Sequence, residues 1–141
     1  MIKPLDTILY TAQTHTIGGR QGHGTSSDGQ LDVALGSPGS NKPGTNPEQL
    51  FGVGYSACFM GAMQIAGGKL GLKLPEGTAI DASVSLGKTD GGNAYALAVK
   101  LVVSLPGLDP AVQRQLVDAA HQTCPYSAAI RGNVDVQIEL A

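Results

Sequence analysis

Two cysteines and three arginines are the residues of this chain whose chemistry is hardest to account for by packing alone. Cys58 sits seven residues after Phe51, three after Tyr55 and seven before Ile65. That spacing puts it on the apolar face of a helix with them. Burial in such company raises a thiol's pKa, so a reactive Cys58 needs positive charge from outside. A helix dipole cannot provide it. Cys58 lies twelve residues past Asn46, about 18 Å along the helix, whereas the dipole's influence fades within the first turn.

The charge would therefore come from a side chain elsewhere in the fold. Arg114 falls early in a second helix, where a solvated position is expected, and Arg131 stands in the turn-like Arg131-Gly132-Asn133. Arg20 lies among glycines, which allow backbone to approach another element closely, so it is the preferred partner. A half-buried arginine in turn calls for a carboxylate. Glu48, near the start of the Cys58 helix, fits that role and is also placed to complete a capping box.

Cys124 comes at the end of the second helix, directly before Pro125. The negative end of the dipole opposes thiolate formation there, which disfavours it as a first nucleophile. It suits a thiol that condenses with a sulfenic acid. The plainer reading of each cysteine is a small buried hydrophobe, and spacing alone leaves both readings open. His121 and Cys124 could share a metal with Cys58 or His23, but a second paired-ligand motif is missing, so no metal site is assigned.

Composition sets the frame for that chemistry. The chain has 141 residues, 42% apolar and 14% charged, with a formal net charge of −2. That is one domain's length, and residues 1–141 are read as a single domain. Basic residues are scattered, which argues against a nucleic-acid surface. The N-terminus lacks the apolar run of a secretory signal, and two cysteines are too few for a secreted disulfide framework, so the expected location is the cytoplasm. The uncharged stretch from Leu50 to Gly68 is long enough to approach a membrane span. Its glycines, serines and Gln64 instead favour a buried core helix, with no membrane partner.

The elements follow from periodicity. Thr7 to Ile17 reads as a strand, followed by a glycine-rich segment from Gly18 to Gly24 and a short strand from Leu31 to Leu35. A long helix starts near Thr45 to Pro47, by a Thr45–Glu48 capping box or by Asn46-Pro47, and runs to Gly68 or Gly71. Glycines inside it each cost about 1 kcal/mol of helix propensity, so it must be central and tightly packed. Two alternating strands flank the turn at Asp90 to Asn93. Asp109 caps a second helix that Pro125 ends, and Val134 to Leu140 forms a last strand. The fold class is α+β: an antiparallel sheet with two helices on one face.

Gly44-Thr45-Asn46-Pro47-Glu48-Gln49-Leu50-Phe51 and Gly54-Tyr55-Ser56-Ala57-Cys58-Phe59 resemble the central-helix signature of organic hydroperoxide resistance proteins, the Ohr branch of the OsmC/Ohr family. Ala120-His121-Gln122-Thr123-Cys124-Pro125-Tyr126-Ser127, then Arg131-Gly132-Asn133, resembles that family's second-cysteine signature. Gly18-Gly19-Arg20-Gln21-Gly22, Ser27-Asp28-Gly29 and Leu105-Pro106-Gly107-Leu108 also match. Ala128 and Ile130 depart from the usual Asn and Thr, and the loop before Gly44 is short.

The resemblance implies an enzyme, a two-cysteine peroxidase that reduces alkyl and fatty-acid hydroperoxides in antioxidant defence. Its reactive cysteine would be Cys58, its resolving one Cys124, its thiolate-stabilising arginine Arg20 and the carboxylate partner Glu48. It further implies an intertwined homodimer, no bound cofactor, and a lipoyl-type dithiol or lipoylated protein as electron donor. Phe51, Tyr55, Phe59 and Met60 would give the site or the core an apolar lining. The competing readings are a peroxidase of the sister OsmC-type branch and a non-catalytic protein that binds an apolar ligand.

Overall fold

A computed structural model describes residues 2–141. They fall into two compact units, one ending at Pro47 and one spanning Glu48–Ala141.

In the N-terminal unit, β1 (Thr14–Ile17), β2 (His23–Ser26) and β3 (Asp32–Ala34) form a three-stranded antiparallel sheet in that order. The strand expected over Thr7 to Ile17 is confined to its last four residues. β-branched residues supply propensity, but only residues 14–17 find a pairing partner, and Ile8, Leu9 and Tyr10 stay exposed. The glycine-rich segment is a 3-10 turn, Gly19–Gln21, that leads straight into β2.

That turn is unusually tight. Gly18 and Gly19 have φ of 73° and 59°, a region glycine enters freely and other residues rarely. A Cβ on Gly22 would lie 1.7 Å from the Ile17 carbonyl oxygen and 2.7 Å from Gly18 Cα. The back of the turn is tied to the following loop. Leu35 N–H donates to the Gly22 carbonyl at 2.9 Å, Ser37 N–H donates to Gln21 Oε1 at 3.1 Å, and the Lys42 ammonium donates to the Gln21 carbonyl.

In the C-terminal unit, α1 (Pro47–Lys69) opens with Pro at its first position, as the Asn46-Pro47 start signal predicts, and Glu48 in its first turn. β4 (Ala79–Thr89) and β5 (Ala94–Ser104) pair antiparallel along their whole length. α2 (Pro110–Thr123) is capped by Asp109, whose carboxylate accepts from Ala111 N–H at 2.8 Å. A third helix, α3 (Pro125–Ile130), precedes β6 (Asp135–Leu140).

The protein is α+β, with three corrections to the expected layout. Among the described residues there are two three-stranded sheets, and β6 runs parallel to β5, making the second sheet mixed. Side-chain alternation fixes which face of a strand is wet, not its direction, and a helical crossover of this length permits a parallel neighbour. Pro125, read as a helix terminator, also starts a helix, because its fixed φ suits the first helical position.

The core of this unit lies between the helices and one face of the β4-β5-β6 sheet. Tyr55, Phe59 and Met63 from α1, Leu101 and Val103 from β5, and Leu116 from α2 are all fully buried. α1 is long and apolar enough to cross a membrane, yet its Tyr55, Phe59 and Met63 serve this core. Ile65, expected on the same face, is 63% exposed. Its seven-residue offset from Cys58 carries it toward the edge of the buried stripe, where Cys58 itself is only partly covered.

Candidate active site

Cys58 and Cys124 are 66 residues apart in sequence and 3.3 Å apart at their sulfurs. Both are free thiols, Cys58 partly exposed and Cys124 fully buried. Their separation exceeds that of a disulfide by about 1.3 Å, so a bond between them needs little movement.

Local structure explains how they meet. Cys58 projects from the middle of α1. Cys124 is the single residue between α2 and α3, with extended backbone (φ −64°, ψ 123°). Its N–H donates to the Ala120 carbonyl at 2.8 Å and its carbonyl accepts from Ala128 N–H at 3.0 Å, so it closes one helix and opens the next. The α2–α3 joint thus points a side chain at α1.

Aromatic rings frame the pair. Tyr55 packs edge-on to Phe51 with centroids 5.9 Å apart, and Tyr126 lies 6.0 Å from Tyr55 and 5.9 Å from Phe51. Gly54 makes room for Tyr126, since a Cβ there would lie 3.0 Å from the phenol oxygen. This accounts for one of the helix-weakening glycines. Of the four expected lining residues, Tyr55 and Phe59 are wholly core, whereas Phe51 and Met60 are half-buried.

Burial pushes the Cys58 thiol above its ordinary pKa. The Tyr126 backbone N–H, which favours the thiolate, offsets part of this, and the neighbouring Cys124 thiol adds to the rise. These forces from within the C-terminal unit hold the sulfur protonated on balance. A thiolate at this position would need a nearby positive charge to offset them.

The other candidate residues are distributed as follows. Arg20 is in the 3-10 turn of the N-terminal unit, and Glu48 occupies the first turn of α1, half-buried. Arg114 is exposed, 4.0 Å from Asp118, in the solvated position expected of it. Arg131 caps α3 and donates to the His121 carbonyl.

A polar chain that sequence reasoning missed runs beside the thiols. Tyr55 Oη is 2.6 Å from Ser127 Oγ, which is 2.9 Å from His121 Nδ1. Ser127 is fully buried. Helical spacing could not reveal it, because His121 and Ser127 lie on different helices across Pro125.

His121 is held below the ordinary histidine pKa, first by burial and then by the Arg131 charge, with Asp118 opposing both. As pH falls below about 6.5, the unfolded chain takes up this proton before the folded one does. The associated stability is therefore complete above that pH and is lost progressively as pH drops toward the folded value. Thermal denaturation between about pH 7.5 and pH 5 is expected to show this acid sensitivity, and His121→Gln is expected to reduce it.

The chain falls in the OsmC-like class: the family model described as OsmC-like protein matches residues 39–139. The organic hydroperoxide resistance protein of Xanthomonas axonopodis pv. citri (strain 306) is 48% identical over 140 residues, covering 96% of this chain and 97% of its own. Organic hydroperoxide resistance protein OhrB of Bacillus subtilis (strain 168) is 44% identical over 94% of this chain and 98% of its own. The crystal structure of that OhrB superposes with a TM-score of 0.89 at 43% identity, over 95% of this chain and 100% of the other. An organic hydroperoxide resistance protein structure from Legionella pneumophila gives 0.88 at 39% identity, over 96% and 99%. The chain belongs to the OsmC-like family, in its organic hydroperoxide resistance branch.

Proposed function

We propose that this chain is a two-cysteine peroxidase that reduces organic hydroperoxides to alcohols. The observation that carries the reading is the contact of the two thiols, one partly open and one buried at a helix joint. The names of its relatives supply the substrate class.

The Cys58 thiolate attacks the distal peroxide oxygen. A sulfur–oxygen bond forms, the oxygen–oxygen bond breaks, and the alkoxide leaves as alcohol after taking up a proton. Cys124 then attacks the Cys58 sulfenic acid, forming the disulfide and releasing water. A lipoyl-type dithiol, free or on a lipoylated protein, reduces the disulfide and is itself oxidised to a cyclic disulfide. Sulfur carries both electrons at every step. Arg20 keeps Cys58 ionised against the burial that opposes it, and Glu48 orients Arg20.

The two units act as one domain, and two copies form a cytoplasmic homodimer. Exposed Ile8, Leu9 and Tyr10 at the N-terminus support a segment covered by a second copy.

The test is steady-state consumption of an alkyl hydroperoxide with dihydrolipoamide as reductant, alongside mass analysis of the oxidised protein. Turnover with a Cys58–Cys124 disulfide is expected. Peroxide left unconsumed by the reduced protein would refute the reading and favour a binding role.

A further inference from the structure

The hydroxyl and imidazole chain next to the thiols has no part in the cycle above, yet its placement is specific. Its members come one each from α1, α2 and α3. His121 on α2 and Ser127 on α3 are joined across the residue that separates those helices, and that residue is Cys124. The guanidinium of Arg131, just past α3, reaches back to the His121 carbonyl and crosses the same joint a second time. Tyr55 then fastens Ser127 to α1, at a position three residues before Cys58. Residues three apart on a helix are surface neighbours, so the chain gauges Cys124 against the turn that carries Cys58.

The alternative arrangement is easy to picture. With Cys124 extended between two helices, the backbone alone leaves a single pivot. Rotation there would swing the buried sulfur away from α1. Tyr55, Ser127 and Cys124 are each without solvent exposure, so a broken member would leave a buried polar group unmatched rather than rehydrated. The chain therefore resists that rotation.

We propose that Tyr55, Ser127 and His121 form a brace that holds the Cys124 sulfur against Cys58 and so sets the effective concentration of one thiol toward the other. They are positioning residues. The proposal rests on the two-cysteine reading for its consequence in turnover, and on geometry alone for its consequence at equilibrium.

The equilibrium consequence is read without peroxide. In glutathione redox buffers, one oxidised glutathione converts the two thiols to the Cys58–Cys124 disulfide and leaves as two reduced glutathiones. Quenching by alkylation and mass analysis gives the effective concentration. Ser127→Ala and Tyr55→Phe are each expected to lower it about tenfold or more, as small misplacements of reacting groups do. Ser127→Thr, which keeps the hydroxyl, is expected to recover most of the loss. After one equivalent of alkyl hydroperoxide, Ser127→Ala should hold Cys58 longer as a dimedone-trappable sulfenic acid.

Melting temperatures of the same variants separate positioning from simple destabilisation. Unchanged effective concentration in folded Ser127→Ala and Tyr55→Phe overturns the brace, however far the melting temperature drops. Should Ser127→Ala not fold, Tyr55→Phe and His121→Asn decide the matter alone. A loss in glutathione buffers from a protein that consumes no peroxide supports the brace and removes the peroxidase reading.

Discussion

Hydroperoxide reduction is expected to fall by at least about 10⁴-fold in Cys58→Ser, the range seen when an enzyme loses its nucleophile. A serine hydroxyl in the same place would be as buried, and its far higher pKa leaves almost no anion to attack the peroxide. Cys124→Ser should behave differently. Its Cys58 still reacts, so about one equivalent of peroxide disappears before the protein stalls as a sulfenic acid. With excess peroxide, that acid advances to the sulfinic and sulfonic forms, which mass analysis resolves. The asymmetry follows from exposure, with Cys58 partly open to an incoming molecule and Cys124 closed to it. One-equivalent reduction by Cys58→Ser, with none by Cys124→Ser, would reverse the assignment.

Gly22→Ala is expected to have the next largest effect, about 10²-fold, although glycine-to-alanine is the smallest of side-chain additions. The new methyl would fall 1.7 Å from the Ile17 carbonyl oxygen and 2.6 Å from its carbon, both backbone atoms that cannot rotate away. The turn Gly19–Gln21 must open to admit it, and Arg20 sits at its centre. If Arg20 keeps Cys58 ionised, Gly22→Ala should slow alkylation of Cys58 near neutral pH about as much as Arg20→Ala does. Loss of a charge-stabilising donor typically costs about 10²-fold in rate. Both variants should move the alkylation profile to higher pH. The double variant should be little worse than either single one, since coupled residues do not add. A wild-type profile in Arg20→Ala would remove it from the role.

Much of the C-terminal unit was legible in the sequence because its patterns are long. Eleven-residue strands with alternating faces, a 23-residue helix beginning at Asn46-Pro47, and an Asp109-Pro110 cap each repeat one signal many times. Among the short elements β3 was legible from the Leu31–Leu35 pattern, whereas β2 and α3 were not. β2 is four residues and begins at His23, inside what reads as a glycine-rich loop. It pairs with its chain neighbours β1 and β3, and its four residues are too few for alternation to register. α3, at six residues, is too short for periodicity to register.

The site divides along the same line. Chemical type singles out Cys58 and Cys124, and motif resemblance links them. Nothing in their spacing shows that β4, β5 and α2 fold back to bring the sulfurs into contact. Ser127 went unremarked because a serine two residues after Pro125 ordinarily reads as surface. Burial and its two partners make it notable, and both are tertiary facts. Ile65 shows the limit from the other side, since an apolar residue at helical spacing from the core still ends up facing water.

Joining residues 58 and 124 also changes the chain's connectivity. The covalent loop so formed spans 66 positions and takes in two full strands and a helix. Chain-entropy arguments give a cross-link of that span about 4 kcal/mol through restriction of the unfolded ensemble. Each catalytic cycle would thus alternate between a looser and a more tightly tethered polymer. Resistance to heat or protease then becomes a reporter of oxidation state, with no need to follow peroxide at all.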